Sequence, residues 1–134
     1  MSFLGIFAAA IAAWGFGAAY YGALGKVWLD AIAFRPEERA KIETGGKMDP
    51  TPFILSFVAE LLMAIVLSGL MLHFAPPSLV KGGMIGITIW LGFVAAPMIV
   101  NNAYAMRSLR LTAIDAGHWL GVLVIMGAVI GAIG

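Results

Sequence analysis

The stretch that decides the fold is the last apolar run, LTAIDAGHWLGVLVIMGAVIGAI, which covers residues 111–133. A helix needs about 20 apolar residues, rising about 1.5 Å each, to cross about 30 Å of hydrocarbon. This run is long enough, and it carries two ionisable residues, Asp115 and His118, close to its start. It therefore predicts a membrane-spanning helix with polar groups near one membrane surface.

Three earlier runs have the same character and cover residues 3–24, 53–74 and 83–101. The chain of 134 residues is 62% hydrophobic and 11% charged, and a soluble domain of this size could not bury so much apolar surface. We therefore expect an all-α integral membrane protein. The four spans predict a single four-transmembrane-helix bundle, embedded in a lipid bilayer, that takes up the whole chain.

The composition also excludes several function classes. The chain has no Cys, which rules out disulfides, iron–sulfur ligation and thiolate chemistry. The formal net charge of +1 provides no basic field for phosphates, so we expect no nucleic-acid partner. The sequence shows neither a phosphate-binding loop nor a metal-binding motif, and we expect no cofactor.

The loops predict the orientation, because Lys and Arg concentrate in the cytoplasmic loops of membrane proteins. The first and third loops together carry Lys26, Arg35, Arg39, Lys41, Lys47, Arg107 and Arg110. The opposite side carries only Lys81. We therefore predict that both termini are extracytoplasmic and that the two basic loops face the cytoplasm.

The first loop contains a candidate short amphipathic helix. Pro36 suits the first turn of such a helix, and the charged residues at 37–41 extend it up to Gly45-Gly46. The alternative is a solvated charged linker.

Polar residues collect in the cytoplasmic half of the predicted bundle. At helical rise, Asp115 lies ~6 Å deep, and Glu60 and His118 lie ~10 Å deep. The candidate site consists of Glu60, Asn101, Asn102, Arg107, Asp115 and His118. An isolated charge in lipid costs several kcal/mol, so these groups should point inward and find partners.

Three interpretations of this cluster remain open. The functional one is a cytoplasm-facing pocket for a small polar ligand, an ion or protons. The structural one is a hydrogen-bonded cluster that fixes the helices in register. Metal binding by Glu60, Asp115 and His118 is a weaker alternative, because their spacing matches no known motif.

The fourth span has a second face made of small residues. Gly117, Gly121, Ala128 and Gly131 fall on one stripe, nearly opposite Asp115. Small residues let helices approach closely in lipid, so this helix-packing seam indicates a homo-oligomer or a place in a larger membrane complex. In the third span, Pro97 should free the carbonyl of Phe93 and kink the helix.

Two stretches resemble a known family. They are GALGKVW at 22–28, after Tyr20-Tyr21, and RSLRLTAIDAGH at 107–118, before Gly127-Ala128. They are similar to the bacterial small membrane proteins of the domain of unknown function 1761, which commonly have a Trp-Tyr pair where this chain has Tyr20-Tyr21. The resemblance implies four spans and a bacterial cytoplasmic (inner) membrane. It implies no activity.

The sequence therefore predicts an integral membrane protein that binds or transports a small polar ligand or ion at the polar cluster. The alternative is a non-catalytic accessory or structural subunit of a larger membrane complex. An enzyme is disfavoured, because no nucleophile–base pair is evident.

Overall fold

The computed structural model describes residues 2–32, 37, 50–73 and 78–134. Its four long helices are α1 (Phe3–Ala31), α2 (Thr51–Met71), a composite third helix and α5 (Leu109–Ile133). The composite helix consists of α3 (Leu79–Ile89), a π-helical segment (Trp90–Ala95) and α4 (Ala96–Tyr104). All four are long and apolar enough to cross a membrane, which confirms an all-helical protein with four candidate spans.

The helix bounds differ from the predicted spans mainly in the first helix. α1 continues beyond Leu24 to Ala31, because its last two turns carry side chains that contact α5. Serine caps set two other starts: Ser78 Oγ accepts from the Lys81 amide, and Ser108 Oγ accepts from the Leu111 amide. The amphipathic helix predicted in the first loop lies outside the described residues.

α5 is the central helix of the bundle. It packs most extensively against α3 and next against α1, while α2 packs chiefly against α1. The start of α1 lies beside the end of α5, where a Cβ on Gly5 would be 3.2 Å from the Gly134 carbonyl oxygen. At the other end, Ser108 Oγ donates to the Ala31 carbonyl at 3.3 Å.

These contacts define two halves. The terminal half contains the starts of α1 and α3 and the end of α5. The basic half contains the end of α1, the start of α2, α4 and the start of α5. Lys26, Arg107 and Arg110 lie in the basic half, whereas Lys81 lies in the terminal half.

In the terminal half, α3 and α5 are in backbone contact. A Cβ on Gly82 would collide with the Gly127 carbonyl, and one on Gly86 would collide with the Leu123 carbonyl. On α5, a Cβ on Gly131 would collide with the carbonyl of Ser78. Glycines four residues apart on each helix therefore allow an approach that no other residue permits.

The π-helical segment lies directly before Pro97, where the sequence predicted a disturbed helix. Proline lacks an amide donor and crowds the preceding turn, and a wider π turn accommodates both effects. The Trp90 indole in this segment donates to the Ala116 carbonyl at 2.8 Å. The disturbed part of the third helix is thereby attached to α5.

Candidate functional site

Asp115 is the centre of the contact between α1 and α5 in the basic half. Its Oδ1 accepts a hydrogen bond from Tyr21 Oη at 2.6 Å and another from the indole nitrogen of Trp28 at 3.1 Å. Tyr21 and Trp28 are seven residues apart, so they lie on one face of α1. The carboxyl group therefore has two donors, and both come from α1.

His118 lies one turn further along α5 and is buried among aromatic rings. Its imidazole stacks on Phe16 with a 6.2 Å centroid separation and lies 4.8 Å from the ring of Tyr21. The indole of the neighbouring Trp119 meets it edge-on at 4.7 Å. Its Nδ1 is buried and has no hydrogen-bond partner among the described residues.

Small residues bring these helices close enough for the cluster to form. A Cβ on Gly17 would lie 2.8 Å from His118 Nε2, and one on Gly117 would lie 2.8 Å from Tyr20 Oη. A Cβ on Gly121 would collide with the ring of Phe16. The predicted seam residues Gly117 and Gly121 therefore face α1 of the same chain.

The seam prediction consequently changes in detail. Gly117 and Gly121 pack against α1, and Gly131 packs against the start of α3. Ala128 is half-buried on the same helix. The glycines of this set do join helices, but the contacts that they make are within the chain, because α5 lies between α1 and α3.

Glu60 is the most deeply buried ionisable side chain among the described residues, with 1% of its surface exposed. Its Oε2 accepts from Ser56 Oγ at 3.1 Å, one turn earlier on α2. Its Oε1 is buried and has no hydrogen-bond partner among the described residues. Glu60 and His118 thus each hold one polar atom whose hydrogen-bonding capacity the described structure leaves unused.

The other predicted site residues lie nearer the end of the basic half. Asn102 Nδ2 donates to Thr112 Oγ1 at 3.0 Å, which links α4 to the first turn of α5. Asn101 and Arg107 are exposed. The structure thus joins Asp115 and His118 through Tyr21, and it gives Asn102 a local partner.

Glu60, Asp115 and His118 do not come together as a metal-ligand group among the described residues. Within residues 2–32, 37, 50–73 and 78–134, no group of three or more His, Cys, Asp or Glu side chains could hold a metal ion. Asp115 is occupied by its α1 donors, and Glu60 is bonded to Ser56.

Sequence reasoning did not identify the partners of Asp115. The donors to its carboxyl group are Tyr21 and Trp28, neither of which belongs to the predicted site. A detectable signal was present, since these two residues share a helical face at the end of the first span. It also missed the pair Gly82 and Gly86, whose four-residue spacing matches that of Gly127 and Gly131.

The comparisons with known proteins identify a family but no activity. The sequence model of one family, described as Protein of unknown function (DUF1761), matches residues 4–131. No curated protein and no solved structure matches the chain. The stretches that resemble the family, 20–28 and 107–118, carry the side chains that join α1 to α5. The match covers nearly the whole chain, and the protein therefore belongs to the DUF1761 family of proteins of unknown function.

Proposed function

We propose that this membrane protein binds a small polar ligand, or the polar part of a larger one, in the basic half of the bundle. One observation carries the proposal: Glu60 Oε1 and His118 Nδ1 are buried without hydrogen-bond partners among the described residues. Buried polar atoms are nearly always paired, and ionisable residues inside spans are most often functional. A ligand that bonds to these atoms would remove the free-energy cost of leaving them unpaired.

The residues divide between ligand contact and positioning. Glu60 and His118 are the proposed ligand contacts, because each has an unused polar atom. Asp115 is a positioning residue, since Tyr21 and Trp28 already donate to it. Its bond to Tyr21 holds one ring of the aromatic enclosure around His118.

We also infer the orientation from the described basic residues. Lys26, Arg107 and Arg110 lie in the basic half and Lys81 lies in the terminal half, which favours a cytoplasmic basic half. The family resemblance would place the protein in a bacterial inner membrane. The chain has no native Cys, so single substitutions can be labelled without background. In intact cells, an impermeant maleimide should label Phe3→Cys and spare Met106→Cys. The reverse pattern would contradict this orientation.

Native mass spectrometry of protein extracted gently from its own membrane tests the ligand proposal. The wild type should carry an added mass below that of a protein subunit. Glu60→Leu, which removes the polar head of the side chain, should lose this mass while it keeps its helical circular dichroism. Ser56→Ala is the matched control, because it removes a partner of Glu60 and leaves Oε1 in place. A bare wild-type chain contradicts the proposal.

A second candidate function is that of an accessory subunit in a larger membrane complex. The exposure of the third span favours this candidate, because only 11% of the apolar window in that span is buried inside the chain. Phe93 in this span is 82% exposed. The surface proposed for the partner is therefore the third span, because the glycines of α5 are covered within the chain.

A matched pair of substitutions tests the accessory role. Phe93 and Phe3 are both 82% exposed, but only Phe93 lies in the third span. If the protein is a subunit of a fixed complex, it should run at a constant heteromeric mass. Phe93→Ala should reduce this mass, and Phe3→Ala should preserve it. A homomeric or monomeric mass that neither variant changes contradicts this candidate.

A further inference from the structure

An apolar groove runs along the membrane-facing side of the bundle between α2 and the third span. Its volume is about 310 Å³, and its lining residues include Met63, Val66, Leu67, Ile89 and Leu123. α2 and the third span contact each other little, because α2 packs chiefly onto α1 and the third span packs onto α5. All of the lining residues belong to candidate spans, so the groove lies at the depth of lipid chains.

The groove lining on α2 begins within one helical turn of Glu60. Met63 and Leu67 follow Glu60 by three and seven residues, so they lie on the helix face that carries it. Only about 4.5 Å of helical rise separates Glu60 from Met63. The apolar surface is therefore followed, toward the basic half, by a buried carboxyl group whose Oε1 has no hydrogen-bond partner among the described residues.

The fourth span contributes one residue to the groove lining, Leu123. Trp119 lies one turn before Leu123 on the same face of α5. The Trp119 indole contacts the His118 imidazole edge-on at 4.7 Å. On both α2 and α5, a groove-lining residue therefore lies within about one turn, along the helix, of Glu60 or of the aromatic neighbour of His118.

We propose that this groove and Glu60 form one site for a membrane-soluble amphiphile with a single long apolar chain and an uncharged hydroxyl head. The chain lies along the groove, and the head bonds to Oε1 of Glu60. This inference rests on the proposed function and specifies its ligand class. The entirely apolar lining favours a hydrocarbon chain, while the unpaired carboxyl oxygen favours a head that forms hydrogen bonds. A charged head is disfavoured because placing a charge at this depth in hydrocarbon costs several kcal/mol.

Photolabelling in lipid nanodiscs tests this site. The probe is a long-chain alcohol with a diazirine in the middle of its chain, and the reference is the same chain without the hydroxyl. Labelled peptides are identified by mass spectrometry. In the wild type, the alcohol should label peptides that contain Met63, Val66 or Ile89 several-fold more than the alkane does.

Three variants separate the contributions of chain and head. Val66→Trp should fill the groove and remove the labelling, whereas Val58→Trp is a control on α2 outside the groove, with 55% exposure against 53% for Val66. Glu60→Leu should lower alcohol labelling to the level of the alkane. Glu60→Gln should retain part of the preference, because its amide still forms hydrogen bonds.

Two results would overturn the inference. Equal labelling by alcohol and alkane in the wild type means that bulk lipid alone fills the groove. If the groove stays unlabelled and the protein is a dimer that Val66→Trp converts to a monomer, a second copy of the chain covers the groove. Either result leaves the proposed function intact if native mass spectrometry still shows a ligand that depends on Glu60. The proposed function and this inference are both overturned if native mass spectrometry shows a bare chain and Glu60→Leu leaves the specific alcohol labelling unchanged.

Discussion

The two halves of α5 join their neighbours by different means. In the terminal half, Gly127 and Gly131 bring the backbone of α5 against the first turns of α3. In the basic half, Asp115 accepts two hydrogen bonds from side chains of α1, and aromatic rings surround His118. One interface therefore depends on the absence of side chains, and the other depends on particular side chains.

The difference matters because lipid offers little hydrophobic driving force for helix association. Close backbone packing gains many dispersion contacts and leaves no room for added side-chain atoms. Polar side chains gain hydrogen bonds that are worth more in hydrocarbon than at a wet surface, yet they can adapt to a ligand. We therefore interpret the terminal half as the rigid scaffold and the basic half as the adaptable site.

The glycine interface should be the most sensitive part of the protein. Gly127→Ala should destabilise by at least about 3 kcal/mol, because the new Cβ meets the backbone of Gly82 and the helices must separate. Thermal unfolding in detergent measures this change. Gly22→Ala is the matched control: nothing lies near its Cβ position, and it should stabilise by about 0.5 kcal/mol. Equal effects at both positions would contradict the backbone contact.

The basic half should tolerate a comparable insertion once a side chain gives way. Gly121→Ala should cost about 2 kcal/mol, because its Cβ meets the ring of Phe16. The second substitution Phe16→Leu should restore much of this loss, measured by the same unfolding assay. Gly127→Ala combined with Phe16→Leu should show no such recovery. Recovery in that combination would mean that the two interfaces are not distinct.

The Asp115 contacts should show measurable coupling. Tyr21→Phe should cost about 1 kcal/mol, because it removes one donor to Oδ1. Asp115→Leu should cost more, since it leaves Tyr21 and Trp28 without their acceptor. In a double-mutant cycle, Tyr21→Phe should cost little once Asp115→Leu is present. Additive losses would show that this hydrogen bond contributes little to stability.

The π-helical attachment should contribute least. Trp90→Phe removes the indole donor to the Ala116 carbonyl and should destabilise by about 0.6 kcal/mol. Trp14→Phe is a comparable change on α1, where the indole packs edge-on against Phe57. Thermal unfolding should show the larger loss for Trp90→Phe if its hydrogen bond matters. A smaller loss than for Trp14→Phe would contradict that.

The spans were predictable because apolar length alone determines what can cross a membrane. The disturbance before Pro97 was predictable too, since a missing amide donor has local consequences. The extension of α1 to Ala31 was not, because apolar character falls off gradually there and contacts of Trp28 with α5 complete the helix.

The candidate site was predictable as residues, but its partners were not predicted. Depth along each helix follows from the sequence, so Glu60, Asp115 and His118 stood out as ionisable groups within the spans. Which helices adjoin, however, depends on rotation and packing order. Those features bring Tyr21 to Asp115 and leave Arg107 exposed, and they turn the glycines of α5 toward α1 and α3.

The central claim is that Glu60 is retained for a ligand rather than for the stability of the bundle. Thermal unfolding of Glu60→Met, in detergent after lipids and ligands have been removed, tests it most directly. Met has a similar volume and no unpaired polar atom, so the variant should be about 1–2 kcal/mol more stable than the wild type. A clear loss of stability would contradict the claim and identify Glu60 as a structural residue.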